Sequence, residues 1–456
     1  MSGVRARSSV RGRRTQAEWV AVALVAAVIA LAFAAEPLGM WGGNVHQWLP
    51  PMSAHFDPEL HGWLLLPLVV AVATVAYGQR LAATLPWRGL LGLTWVVGVL
   101  WGFGLALGRG WQEGIVAPLA DHDEYLVDVP RAADMGVATV LRDYTDYILL
   151  AADDHWVTHN SGHPPLPLLF YTGLDRIGLG GSQASGLVTA AIGSTAVVAV
   201  LITVRVLGDE RRARMAAPFL ALSPLVIWIW ISADGMFAAV VACGIAVLAL
   251  AAVSPRPGRA LALGVAAGLI LGIGLFLSYG LVLMSPIVVA VLIAARQWRP
   301  LLPAALAALA VVGAFALAGF WWYEAQQILV TRYYAGKGAD RPFSYWVWGN
   351  LAVAAIALGP AVWAAGGAAA RQVRRDPRAA LRGRSGALWL VAGAATAVLS
   401  ADLSMLSKSE VERIWLPFLV WLVLLTSQLR ADDRRFWLVM QAAWALGVCV
   451  VFRTTW

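Results

Sequence analysis

LPLLFYTGLDRIGL, residues 166–179, is apolar enough to be taken for a membrane span and too short to be one. A helix needs roughly 17–25 apolar residues to cross the hydrocarbon core, and this stretch also carries Asp175 and Arg176. If it crossed, every later loop would change sides. The Arg371–Arg384 run, with its six arginines, would then lie outside, against the rule that short basic loops stay in the cytoplasm. Residues 166–179 therefore read as a juxtamembrane or re-entrant helix on the outer side. One long outer loop then runs from Arg109 to about Ser182, too long for a simple connector and a natural place for function.

The rest of the chain supplies the membrane. It has 456 residues, 60% hydrophobic and 13% charged, with a mean hydropathy of +0.71. That is the composition of a polytopic membrane protein, not of a soluble domain. Thirteen apolar segments stand out, at roughly 19–36, 61–78, 89–108, 184–206, 215–231, 236–253, 259–276, 281–296, 300–321, 350–369, 386–402, 414–428 and 436–452. They predict an all-α polytopic membrane protein of about 13 transmembrane helices, with juxtamembrane helices in the large outer loop. Residues 1–18 read as a basic, disordered cytoplasmic tail rather than a secretory signal, because the apolar run after it is longer than a signal core. Residues 19–456 read as a single transmembrane domain.

With the N-terminus inside, the cytoplasmic side collects 24 of the 34 Lys and Arg and 6 of the 26 Asp and Glu. The charge bias supports a multi-pass protein of the plasma membrane with its long loops extracytoplasmic. The net charge of +8 is thereby explained by topology, and nucleic acid is not expected as a partner. Cys243 and Cys449 both lie in apolar segments, which leaves no disulfide framework and no thiolate metal site.

Chemistry is concentrated on the outer side. Asp121-His122-Asp123-Glu124-Tyr125 opens the polar part of the long loop, and His163-Pro164-Pro165-Leu166 closes it. Between them Val137, Val140, Leu141, Tyr144 and Ile148 recur at helical spacing against Arg142, Asp143 and Asp146, which predicts an interfacial amphipathic helix. A carboxylate near the apolar boundary loses solvation, its pKa rises, and it becomes a better base. A solvated acidic face would present the same residues. A second outer loop, 323–350, holds Arg332, Lys337 and Arg341, and a short third one holds Lys408, Glu410, Glu412 and Arg413. These outer cations suit a phosphate leaving group, and Arg is the better clamp because its planar fork holds two oxygens. Pairing with Asp340, Glu410 or Glu412, or snorkelling to headgroups, is the alternative. Asp234, at the outer hairpin 232–235, is either a functional carboxylate at the membrane boundary or a helix cap.

No cofactor is required by any motif, but a divalent metal is admitted. His155, His159 and His163 are spaced by four, and on a helix they would share one face. Asn160-Ser161-Gly162 and Pro164 argue against a helix reaching His163. Of the 23 tryptophans most sit near span ends, as an aromatic belt would. Trp346 and Trp348 are candidates to stack on a sugar or a prenyl chain.

Taken in order, Asp123-Glu124-Tyr125, His163-Pro164-Pro165-Leu166, Ser223-Pro224 with Asp234, and Glu412-Arg413-Ile414-Trp415-Leu416-Pro417 resemble the GT-C superfamily of membrane glycosyltransferases. That group includes protein O-mannosyltransferases, aminoarabinose transferases and actinobacterial mannosyl- and arabinosyltransferases. The resemblance implies an enzyme that moves a sugar, with inversion, from a polyprenyl-phosphate donor to an acceptor hydroxyl. It implies Asp123 as general base, Glu124 as its helper, His163 at the cavity, and Arg341 or Arg413, with Lys337, on the lipid phosphate. Asp121 remains a second candidate for the base. In that family the acidic motif follows the first span, whereas here it follows the third, so 19–36 or the hairpin 61–108 reads as an addition. With the chain ending just past its last span, a lipid-linked or other glycan acceptor within reach of membrane lipids is expected. A lipid-linked-sugar flippase and a non-catalytic envelope scaffold are the rival readings. A flippase should carry charges deep in its spans, and most charges here sit at span ends.

Overall fold

A computed structural model describes residues 2–230, 232–375 and 385–454. The second half of the 371–384 arginine run, with Arg378, Arg382 and Arg384, lies outside them. The chain is all-α apart from one two-stranded ribbon. Eight helical segments are long and apolar enough to cross a membrane: Gln16–Ala34, Gly62–Thr84, Trp87–Leu107, Ser182–Val206, Ala233–Val253, Pro257–Leu275, Gly386–Leu403 and Arg434–Val451. The basic tail expected to be disordered is helical in its backbone, continuous with the first span as Ser2–Ala34.

The other five apolar segments are helical but short or broken, and each break has a cause in the sequence. Segment 215–231 divides at Ser223-Pro224 into Glu210–Ala221 and a single turn, Val226–Ile229. Leu301–Leu317 bends by 74° into Trp322–Ala335 across Gly319, whose φ of +102° a side chain would resist. Phe343–Leu358 bends by 107° into Pro360–Arg375 across Gly359 (φ +79°) and a proline that cannot continue the ladder. Tyr279–Ala295 and Leu416–Gln428 open or end in 3₁₀ turns and are too short to count as spans. Counting each bent pair as one span gives ten, not thirteen.

Leu166–Arg176 forms a separate 11-residue helix, too short to cross by itself. The amphipathic segment is Val137–Asp143 followed by a 3₁₀ turn, Tyr144–Tyr147, with Val140, Tyr144 and Ile148 buried at the predicted spacing.

Ala233–Val253 is the central helix. It packs against Ser182–Gly193, Ala196–Val206, Pro257–Leu275, Ser285–Ala295 and Leu416–Leu422. Close approach relies on small residues, as expected where lipid gives no hydrophobic drive between helices. At Gly268 an added Cβ would lie 2.1 Å from the Ala304 carbonyl oxygen, whereas at Gly313, in the same packed pair of helices, it would meet nothing. Gly268→Val is therefore expected to cost about 1–3 kcal/mol or more by forcing the helices apart. Gly313→Val should leave the melting midpoint in detergent nearly unchanged.

The charge partition inferred from topology is kept in three dimensions. Among the described residues every ion pair joins two residues assigned to the same side, such as Arg413–Asp234 on one and Arg205–Glu210 or Arg371–Glu18 on the other. On the loop-rich side, β1 (Ala54–Phe56) pairs antiparallel with β2 (Phe452–Thr454). Arg109 holds this ribbon through Asp57, Glu59 and the Asp57 carbonyl.

Candidate functional site

The acidic motif is a tight turn that sorts its own side chains. After Gly110 (φ +82°) the chain descends through short turns to Asp121, whose Oδ1 accepts from the Asp123 amide (2.9 Å). The Asp121 carbonyl accepts from the Glu124 amide (3.1 Å), a pattern typical of Asp-initiated turns. Asp121 and His122 consequently point to solvent, Asp123 is half-buried, and Glu124 and Tyr125 are turned inward. The expected loss of solvation falls on Glu124, not on Asp123: a one-residue step around the turn reverses the side chain's environment.

The 157–163 segment is stitched onto this turn. The His159 amide (3.0 Å) and ring Nδ1 (2.7 Å) both meet the Asp123 carbonyl oxygen. Thr158 Oγ1 donates to Asp123 Oδ1 (2.7 Å). Asn160 Nδ2 donates to Asp128 Oδ2 (2.7 Å) and the Tyr125 carbonyl (3.1 Å). A carbonyl can only accept, so Nδ1 carries the hydrogen of His159, and Nε2 is left as an acceptor. An Arg413 guanidinium nitrogen fills it at 2.7 Å. Burial first, and Arg413 second, hold His159 well below the usual histidine pKa, so it is neutral. His163 Nδ1 lies 2.8 Å from the His159 carbonyl and 3.1 Å from the Tyr125 hydroxyl, and burial lowers its pKa too.

Arg413 joins three distant parts of the chain. It donates to Asp234 Oδ2 (2.8 Å) and Glu410 Oε2 (3.0 Å) as well as meeting His159. Glu410 reaches it from a left-handed stretch of backbone at Ser409 and Glu410 (φ +79° and +63°), strain that surrounding contacts must hold in place. Burial pulls the Arg413 pKa down, but Asp234 and Glu410 outweigh it and hold it raised. The guanidinium expected on a lipid phosphate is thus engaged by two protein carboxylates. Asp234, in the first turn of the central helix, is its main counter-ion rather than only a cap.

These groups line one cavity of about 1200 Å³ that also admits Asp121, Asp123, Glu124, His163 and Asp234. The same cavity is lined also by Arg332, Lys337, Arg341 and Lys408. Arg341 donates to the carbonyls of His46 (3.2 Å) and Lys408 (2.6 Å), and Lys408 Nζ to the Gly338 carbonyl (2.8 Å). Arg332 donates to the Ile148 carbonyl (2.6 Å). Carbonyls orient these cations without cancelling their charge. The nearest carboxylate contact among them is Arg341 to Glu410 at 4.0 Å. Lys337 is exposed at the rim.

Trp322, Leu329 and Val330, from the helix beyond the Gly319 bend, make an apolar stretch of wall. Gln47, Trp48, Ser53 and His55 line the cavity from the first outer loop, and Phe452, Arg453 and Thr454 from β2. Sequence reasoning passed over both segments. Their only signals were Asp57, Glu59 and the Pro50-Pro51 corner, and nothing local links residue 55 to residue 453.

The three-histidine metal face is not formed. The helix there is only Thr158–Gly162, His155 precedes it and is exposed, and both ring nitrogens of His159 are engaged. Among the described residues, ligand-type atoms converge only at Asp121, His122 and Asp123, within 4.8 Å. That turn is solvent-facing, with His122 beside both carboxylates (3.3 and 3.6 Å), and we assign no ion to it. Trp346 is buried with its indole N–H on the Val45 carbonyl (3.2 Å), so it is not a stacking platform.

Compared with protein-family models, curated proteins and solved structures, the chain matches none.

Proposed function

We propose that the chain is a GT-C-type inverting glycosyltransferase that uses a polyprenyl-phosphate sugar as donor and works on the outer face of the plasma membrane. One observation carries this reading: a single cavity is lined both by carboxylates and by carbonyl-oriented cations, at one end of a bundle of apolar helices. The acceptor hydroxyl attacks the anomeric carbon of the sugar as the bond from that carbon to phosphate breaks. Asp123 takes the hydroxyl proton, and the lipid phosphate leaves with the bonding electrons. The cations support the charge that grows on the phosphate, where fixed donors in a partly dry site act most strongly. The apolar wall suits the first units of a prenyl chain, and the acceptor is a lipid-linked or other glycan.

The test is transfer by purified protein in liposomes, supplied with labelled polyprenyl-phosphate mannose or arabinose and a membrane-lipid extract. Label in a new product supports the reading. Donor crossing the bilayer without product would support a flippase instead, and neither outcome would favour a scaffold.

Arg341 is expected to be the main phosphate ligand. Arg341→Ala should raise the donor KM about tenfold or more, the equivalent of one charge-assisted bond. Arg341→Lys should recover little of this, since an ammonium cannot reproduce the fork held by the His46 and Lys408 carbonyls. An unchanged KM in both variants would move the phosphate site to Arg332 and Lys337.

A further inference from the structure

Glu124 is 3% exposed, yet it lines the cavity. Its Oε1 lies 3.5 Å from His159 Nδ1, whose hydrogen is already committed to the Asp123 carbonyl. Its Oε2 is buried and has no hydrogen-bond partner among the described residues. A carboxylate in such a place would lose its hydration and receive little in return.

Among the surrounding charges only Arg413 favours the anion, and it does not outweigh burial. Arg413 is the cation beside Glu124, and its guanidinium is shared by the Asp234 and Glu410 carboxylates. Asp121 adds further negative charge from the turn, Tyr125 and Tyr171 are neutral phenols, and His159 is neutral. A third anion on one guanidinium would be only partly compensated.

We propose that Glu124 works as a neutral carboxylic acid, its carboxyl group donating a hydrogen bond to a sugar or phosphate oxygen of the ligand in the cavity. Only the identity of that ligand rests on the transfer reaction proposed above; the protonation state does not. Burial, reinforced by Asp234 and opposed by Arg413, pushes the Glu124 pKa up to about 8. Below that pH the donor is present; above it the proton is lost and an anion faces the ligand. Activity should therefore fall on the alkaline side through about pH 8.

The test compares full-length wild type, Glu124→Gln and Glu124→Ala in liposomes. Infrared difference spectra of wild type minus Glu124→Gln should show a protonated-carboxyl band at neutral pH that disappears near pH 8; other buried carboxyls cancel. In the transfer assay Glu124→Gln, which keeps a neutral donor, should stay within about threefold of wild type and lose the alkaline fall. Glu124→Ala should lose about tenfold or more. Absence of the band, or Glu124→Gln as inactive as Glu124→Ala, overturns the proposal. If wild type transfers no sugar, the functional reading fails separately. The donor role is then judged by binding of farnesyl phosphate: weaker in Glu124→Ala than in Glu124→Gln supports it, and equal binding by all three proteins overturns it.

Discussion

Asp123→Asn is expected to lower the rate of sugar transfer by about 10²–10⁴-fold, the usual contribution of a positioned general base, with little change in donor KM. The substitution is well suited to isolate chemistry from architecture. The turn is held through the Asp123 amide and carbonyl, which the change does not touch. The amide oxygen of Asn can still accept from Thr158 Oγ1, as Asp123 Oδ1 does at 2.7 Å. What disappears is the ability to accept a proton. Asp121→Asn should have a smaller effect, because its carboxylate caps the turn and points to solvent. Single-turnover rates in liposomes would decide it. If Asp121→Asn is the inactive variant and Asp123→Asn is not, the base is Asp121.

Arg413→Met is expected to be the most destabilising single change at the site, costing about 3–5 kcal/mol. Removing one partner of a buried ion pair leaves the other charge uncompensated. Here one guanidinium serves Asp234, Glu410 and the lone pair of His159 at once. The loss should be recovered in part by Arg413→Met combined with Asp234→Asn and Glu410→Gln, since two of the stranded charges are then gone. Melting midpoints in detergent would show this as a triple variant more stable than the single one. A single variant as stable as wild type would mean that water reaches the cluster and screens it. Arg413→Met should also impair transfer, because His159 ties Arg413 to the main chain of Asp123.

Much of the fold was legible because hydropathy and charge are local properties. All thirteen apolar segments contain helix, and among the described residues charges assigned to opposite sides never pair with one another. The segment 166–179 holds a helix of only 11 residues, too short to span by itself. The span count was less legible. A run such as 350–369 has the hydropathy of one span, and a sum over a window does not register that Gly359-Pro360 turns the axis by 107°.

The roster of site residues was also readable, since polar groups are rare on the loop side of so apolar a chain. Asp121, Asp123, Glu124, His163, Asp234, Lys337, Arg341 and Arg413 do line one cavity. Their individual environments were not readable. Glu124 rather than Asp123 is buried because of where the turn places each Cβ. Arg413 is neutralised, while Arg341 is only oriented, because carboxylates reach the first and carbonyls the second. His159 offered itself as a metal ligand by spacing, and became a neutral bridge because its Nδ1 met a carbonyl and its Nε2 a guanidinium.

The sequence by itself determined an all-α membrane architecture, the sorting of charge between its two ends and the set of residues available for chemistry. Those follow from the transfer free energy of each segment, which depends only on its composition. The tertiary structure alone decided which carboxylate is dry, which cation is oriented mainly by carbonyls and which distant strand lines the cavity. Those depend on distances of 3–4 Å between residues up to hundreds of positions apart, and on a local dielectric that exists only once the helices have packed.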